Sequence, residues 1–399
     1  MRACDRAQRR RVAQARKPDN ASAAPDRAIL RPVDSPLLEL CPRLGRSLRP
    51  LPLVDRPTAV EPLARLSARL GGADLWVKRD DRSNAEYGGN KPRKLAWLIS
   101  RALGHGRRSL VTAGAIGSHH AVATALFGRR AGLRVCALLT PQPVTAGVRE
   151  NLASHVRLGT DLRLVEEAGG LPAALGREFL RRTLAGERPM LVPPGGSSPA
   201  GTLGFVEAGL ELAAQVRAGL CPLPAAVVVA LGSGGTAAGL ALGLALAGLE
   251  ARVVGVRVVP RSWLPPALPR LLAHATAALL ARHGLPSALR AASRLRLEID
   301  DAQLGAGYGH ATPAARAAIE RLREDEGLEL EPTYTGKAAA ALLDRATRAG
   351  PRAGPLLLWH TFSNRPGPGR DAAPGTHLAL PPEFHRFFGP DPAPGNDPA

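Results

Sequence analysis

From residue 109 onward, short apolar runs alternate with longer stretches whose apolar positions recur every three or four residues. SLVTAG (109–114), LRVCALLT (133–140), DLRLVEE (161–167) and MLVPPG (190–195) read as strands, and residues 118–130, 145–158, 171–185 and 201–218 read as helices. AAVVVALG (225–232) lacks any polar alternation and fits a strand buried on both faces. ARVVGVRVV (251–259), LEIDD (297–301) and LLLWHT (356–361) complete the set, each separated by helical segments. Strands alternating with helices predict an α/β, two-lobed parallel-sheet fold covered on both sides. The expected smaller lobe, about 95–193, is inserted in a larger lobe formed by 31–94 plus 194–362. Ligands in such folds sit beyond the carboxyl ends of the strands, so the turns there are the places to search.

One such turn organises the rest. LWVKRDDRSNAEYGGNKPRKL (75–95) opens as a strand, crosses an acidic loop, tightens at Gly88-Gly89 and enters a helix. Pro92 suits the first helical position, where its missing N–H costs nothing. Lys91 is therefore expected at the positive end of a helix, where its neutral amine, a nucleophile for aldehydes, is favoured. The alternative is a solvated charge in a first turn. Only five of the 53 Lys and Arg residues are lysines: Lys17, Lys78, Lys91, Lys94 and Lys337.

At 399 residues the chain can bury a full core. The net charge of +19 invites a nucleic-acid partner, but the arginines are spread over most helices and aromatics are only 4%. Stacking platforms need more aromatics than that, so nucleic acid is set aside. No uninterrupted apolar run of about 18 residues exists, which argues against a membrane span. Cys4, Cys41, Cys136 and Cys221 lack disulfide or metal-ligand spacing and the start lacks a signal-type apolar region, so a cytoplasmic location is expected. Residues 1–30 read as a disordered basic arm, and 363–399 as a Pro/Gly-rich tail. Within that tail, HLALPPEFHRFF (377–388) has enough apolar residues to dock.

LGSGGTAAGL (231–240) follows the most apolar strand and opens a helix, a turn suited to cradling an anion on backbone N–H groups. Gly232, Gly234 and Ala237 also satisfy a dinucleotide fingerprint, with Arg257 placed for a further phosphate, and a plain tight turn is the third reading. TAGAIGSHHAVATA (112–125) puts Ser118 where a helix N-cap serine belongs. His119-His120 is no metal pair, since adjacent residues diverge on a helix. All three tyrosines, Tyr87, Tyr308 and Tyr334, fall inside blocks singled out on other grounds. Isolated, each would be half-buried packing.

Taken in order, KRDD, YGGNKPRKL, the Ser118 turn, the glycine turn, GAGYGHATP, EPTYTGKAAAALL and LLLWHTFSN resemble the 1-aminocyclopropane-1-carboxylate deaminase / D-cysteine desulfhydrase family. These are pyridoxal 5'-phosphate enzymes of the tryptophan synthase beta-like fold type II. The resemblance starts after Arg31. It implies that Lys91, not Lys94, holds the cofactor covalently and that Asn90 adjoins it. It implies further that Ser233, Gly234, Gly235 and Thr236 hold the phosphate, with Ser118, Tyr308 and Tyr334 near a small amino-acid substrate. VPPGGSSPAGTLGF (192–205) matches the family's Gly-Gly-Ser loop and supports the fold more than the chemistry.

Three departures matter. His119 stands where the family usually has an asparagine that bonds the ring's phenolic oxygen; histidine still donates, but titrates near neutrality. Thr335, counted with the cofactor contacts, stands where the cyclopropane deaminases carry glutamate, which tilts the substrate toward the desulfhydrase type. Thr361, implied to meet the pyridine nitrogen, is followed by Phe362-Ser363 instead of two glycines. The implied activity is elimination or deamination of a small amino acid to a 2-oxo acid and ammonia, by a homodimer. A cyclopropane deaminase, racemase, β-replacement synthase, non-catalytic cofactor binder or dinucleotide enzyme are the rivals.

Overall fold

In the computed structural model the described residues are 26–31 and 33–389, so most of the predicted basic arm and the last Pro/Gly segment lie outside them. Two sheets carry the chain. The larger has the order β1-β2-β10-β7-β8-β9, from Val60–Pro62, Leu75–Lys78, Leu356–Trp359, Ala226–Leu231, Arg252–Arg257 and Leu297–Asp300. The smaller, β5-β4-β3-β6, comes from Asp161–Leu164, Arg134–Thr140, Ser109–Ala115 and Pro189–Val192. Every pairing is parallel except β1 with β2. The smaller sheet is drawn wholly from residues 109–192, between β2 and β7 of the larger one.

Strand β7 is buried along its whole length, as its unbroken apolar run requires when neighbours flank it and helices cover both faces. Three connections matter for function. Strands β2, β10 and β7 are consecutive neighbours, with Trp359 level with Lys78 and Leu358 level with Val228. Their carboxyl ends therefore bring the segments before Lys91, around Thr361 and around Gly234 together. Strand β3 of the second sheet delivers Ser118 from the same kind of end.

Over its described residues, 363–389, the tail is more ordered than its composition suggests. Residues 365–375 were expected to be disordered or extended, and they run irregularly along helix Ala146–Leu158. The Gly367 amide donates to Glu150 Oε1 (3.0 Å) and the Gly369 amide to Ser154 Oγ (2.8 Å). Phe384 and Phe387 then bury themselves in a cluster with Leu139, Val148 and Leu152. Cys136, with no ligand spacing in the sequence, meets Asp161 and Glu178, but Arg182 pairs with both carboxylates. Among the described residues no helix is long and apolar enough to cross a membrane.

Candidate active site

The Lys91 turn is anchored from below by charge. Arg93 forks onto Asp80 (Nε to Oδ2 2.9 Å, Nη2 to Oδ1 2.8 Å) and reaches Glu211 and Thr58. Asp80 also accepts from the Trp359 indole at 2.7 Å. All of these groups are buried, so each needs the others. The turn above closes on β10: the Gly89 amide donates to Asp80 O at 2.7 Å and the Asn90 amide to Thr361 O at 3.2 Å. Gly89 has φ +82°, and a Cβ there would lie 2.5 Å from Thr361 O, so glycine is required on both counts. Lys91 is the first helical residue and Pro92 the second, one step later than the sequence suggested. The correction is harmless, because the second amide of a helix also lacks an intrahelical partner.

The Lys91 side chain is half-buried, and its Nζ lies 5.6 Å from the centre of the Tyr334 ring. It makes no hydrogen bond with a described residue. Burial lowers its pKa to about 8, with Glu331 pulling only weakly the other way. On the order of a tenth of the amine is thus neutral at pH 7, far more than for an ordinary lysine.

The glycine turn beyond β7 faces it. Gly234 takes φ +89° and helix Gly235–Leu246 begins there. The Gly235 amide donates to Ser197 Oγ (3.0 Å), which shares a hydrogen bond with Ser233 Oγ (2.8 Å). Lys94 Nζ donates to Gly195 O (3.0 Å) and reaches Ser197 Oγ at 3.4 Å. Asn90 Nδ2 donates to Thr236 Oγ1 at 3.0 Å, tying the residue before Lys91 directly to this turn. One cavity of about 1040 Å³ is lined by Asn90, Lys91, Ser118, His119, Ser233, Gly234, Thr236, Tyr308, Tyr334 and Thr361. Gly235 contributes its amide from behind that surface.

Tyr334 donates its hydroxyl proton to Tyr308 Oη at 2.9 Å, and the two rings meet edge-on at 5.8 Å. Burial raises both phenols well above their usual range, Tyr308 to about 12, so both are protonated. Ser118 caps helix His119–Arg130 by accepting from the Ala121 amide at 3.2 Å, and its hydroxyl proton is left for the cavity. His119 needs correction on one point: burial, aided by the charge of Lys91, pushes its pKa down to about 3, so it does not titrate near neutrality. Thr335 is not among the cavity-lining residues. Its hydroxyl serves Glu331 instead, accepting from the Glu331 amide at 3.0 Å, while Glu331 Oε1 accepts from the Tyr334 and Thr335 amides. The Phe362-Ser363 departure keeps the loop closed: Phe362 packs on His119, and Ser363 Oγ accepts from the Gly88 amide at 3.0 Å.

Two contributors escaped the sequence reading. Ser197 sits in a loop whose sequence supports the fold more than the chemistry, and Lys94 enters the sequence only as the rival to Lys91. Its i, i+3 spacing from Lys91 puts both amines on one helix face. Burial first, then the Lys91 charge, lowers the Lys94 pKa to about 7. A bound anion would offset both effects.

These residues fit pyridoxal phosphate. An amine accessible in neutral form suits its aldehyde. For its phosphate there are a helix N-terminus, two serine hydroxyls and the Lys94 amine. A Cβ on Gly235 would come within 2.6 Å of Ser197 Oγ and 3.2 Å of Lys94 Nζ, so the cradle admits only bare backbone there. The buried Asn90 Oδ1 has no hydrogen-bond partner among the described residues, as fits an atom that meets a ligand's donor. Known proteins agree. The family described as "Pyridoxal-phosphate dependent enzyme" matches residues 51–361. The D-cysteine desulfhydrase of Klebsiella pneumoniae (strain 342) is 38% identical over 317 residues, covering 78% of this chain and 93% of that protein. That of Salmonella newport (strain SL254) is 35% identical over 319 residues, with the same coverages. A crystal structure of an ACC deaminase homologue superimposes with a TM-score of 0.67 at 28% identity, over 84% of this chain and 96% of that one. With both sheets, the amine and the phosphate cradle in register, the chain belongs to the fold type II pyridoxal-phosphate dependent enzymes, in the 1-aminocyclopropane-1-carboxylate deaminase / D-cysteine desulfhydrase family.

Proposed function

We propose that this enzyme is a D-cysteine desulfhydrase-like lyase, converting a small amino acid with a β-thiol and water to pyruvate, ammonia and hydrogen sulfide. The observation that carries the proposal is the Lys91 amine, without a hydrogen-bond partner among the described residues and facing a pair of protonated phenols across one cavity. When bound, the cofactor supplies the electron sink that lets the Cα–H bond ionise. This chain supplies the rest. The neutral Lys91 Nζ takes the Cα proton, and the ammonium so formed releases it toward the departing thiolate. The Tyr308 and Tyr334 hydroxyls and the Ser118 hydroxyl orient the substrate carboxylate, and the Tyr pair relays the proton released by Lys91 to the departing thiolate, keeping its own count of protons unchanged. Lys94, Ser197, Ser233 and the Gly235 amide hold the phosphate end, with Asn90 and Thr236 beside it.

The relatives' names support the thiol substrate, as does Thr335, which leaves no carboxylate directly after Tyr334. The test has two stages. Purified protein given pyridoxal phosphate should show the visible band of a lysine-bound aldehyde cofactor. It is then offered D-cysteine, L-cysteine and 1-aminocyclopropane-1-carboxylate. Sulfide and pyruvate from D-cysteine in equal amounts support the proposal. Turnover of the cyclopropane alone, or of none of the three, refutes it.

A further inference from the structure

We infer that Tyr87 is a positioning residue: its hydroxyl donates to His119 Nδ1 and so fixes His119 as the neutral ring that offers its Nε2–H to an acceptor oxygen beside Lys91. The inference rests on the cofactor reading for the identity of that acceptor, since pyridoxal phosphate carries a hydroxyl oxygen on the ring carbon next to its aldehyde. It does not rest on that reading for the state of the ring.

The contact itself is short, Tyr87 Oη to His119 Nδ1 at 2.7 Å. Which atom donates follows from the surroundings. Tyr87 is 2% exposed, and burial, with Glu150 as a lesser influence, raises its pKa, so the phenol keeps its proton; among the described residues its oxygen meets only His119 Nδ1, so that nitrogen is the acceptor the buried proton has. His119 stands at the first position of helix His119–Arg130, where the positive end of the dipole disfavours an imidazolium. A neutral imidazole has one donor and one acceptor nitrogen, so a phenol donating to Nδ1 leaves the proton on Nε2. Phe362 meets the ring edge-on at 5.3 Å and 84°, opposing rotation about its last torsion. With Nδ1 engaged and the ring lining the same cavity as Lys91, Nε2 is the nitrogen left for a ligand.

A merely structural reading would have His119 satisfy a buried phenol, nothing more. The two differ in what happens when Tyr87 loses its hydroxyl. Nitrogen-15 NMR of histidine-labelled, cofactor-free protein, with His119→Asn assigning the signal, reads the tautomer directly. Expected is the Nε2–H form in the wild type and a mixture of both tautomers in Tyr87→Phe. An Nδ1–H ring in the wild type, or an unchanged tautomer in the variant, overturns the inference.

Pyridoxal phosphate affinity by equilibrium dialysis gives the second readout. Tyr87→Phe should weaken it roughly three- to tenfold, the value of one hydrogen bond. In the His119→Asn background the same change should cost less than about twofold, because an amide donor needs no tautomer selected for it. Equal losses in both backgrounds would show that Tyr87 acts through packing alone and overturn the inference. Absence of any binding by the wild type would overturn the proposed function and the acceptor named here, while the NMR result alone decides the role of Tyr87.

Discussion

Lys78 and Lys91 leave the same strand-turn-helix segment and meet opposite surroundings. Lys78 Nζ is enclosed by acceptors, donating to Thr58 O and Gln215 Oε1 at 2.7 Å each and pairing with Glu211. Lys91 Nζ meets the face of Tyr334 and, among the described residues, no hydrogen-bonding partner. Burial lowers the pKa of both; at Lys78 the charge of Glu211 pulls back against it, while at Lys91 Glu331 opposes it only weakly. The difference teaches how this fold divides its buried cations. Where charge is paired it fixes backbone, holding β2 against helix Pro199–Arg217. Where it is left unpaired the neutral form becomes available for chemistry, at a cost in stability.

The sharpest way to break this comparison is Lys91→Ala. Covalent attachment of the cofactor should vanish, with turnover falling by at least about a thousandfold, as read from the visible spectrum and a sulfide assay. Stability should move the other way. The folded-state pKa of about 8 lies below the ordinary lysine value, so the unfolded chain binds more protons between the two. Stability of the cofactor-free protein should therefore rise as pH climbs from about 8 toward the ordinary value near 10.4. Lys91→Met should gain about 1–2 kcal/mol at pH 7 in urea unfolding and flatten that pH dependence. An equally unstable Lys91→Met protein would place the two lysines in one class.

Lys78→Met is the converse. It leaves a buried Glu211 with one cation fewer and should destabilise the fold by about 3 kcal/mol, measured the same way. Burial alone would raise the Glu211 pKa, but Arg93 and Lys78 outweigh it and hold it at about 2. That contribution is fully present above the unfolded value near 4.3 and is lost as pH falls toward 2. The variant should lose part of this acid-side slope. Activity, corrected for the folded fraction, should change little.

The paired network and the free amine were not equally legible in the sequence. Strands β3, β4, β7, β8 and β10 announced themselves because a parallel strand buried on both faces leaves an apolar run that turn residues bound clearly. β1, Val60–Pro62, was missed: two half-buried residues and an exposed proline on an antiparallel edge leave no pattern, and Pro62 reads as a breaker. The site loops were legible because glycine, proline and a lone lysine at strand ends carry backbone meaning. Side-chain direction was not. Nothing local says that Thr335 turns back to Glu331, or that Tyr87 reaches His119 across 32 positions. Lys94 was visible by spacing, but whether its amine would find Gly195 O depended on a distant loop folding against it.

Lys94 stands between the two lysines of the comparison, engaged by neutral acceptors only. Lys94→Gln keeps a polar group near Gly195 O and removes the charge. Pyridoxal phosphate affinity should fall about tenfold, the worth of a charge-assisted bond to phosphate. The visible band at saturating cofactor should be unchanged, because Lys91 still forms the covalent link. If the band disappears at saturation, the covalent role belongs to Lys94.

Thr335→Ala carries the smallest effect and isolates what the departure at this position does. The Thr335 hydroxyl accepts from the Glu331 amide at 3.0 Å, while Glu331 Oε1 accepts from the Tyr334 and Thr335 amides at 2.8 and 2.7 Å. Together they form the first turn of helix Thr335–Ala349 and set the height of Tyr334 below Lys91. Loss of the hydroxyl leaves the part-buried Glu331 amide without its acceptor, which costs about 1 kcal/mol of stability. Because that hydroxyl points at Glu331 and not into the cavity, cofactor affinity should stay within about twofold. The relevant outcome is the ratio of the two effects. A drop in affinity larger than the drop in stability would mean that Thr335 meets the cofactor after all, and that the cavity rearranges around its ligand more than the Tyr334 turn suggests.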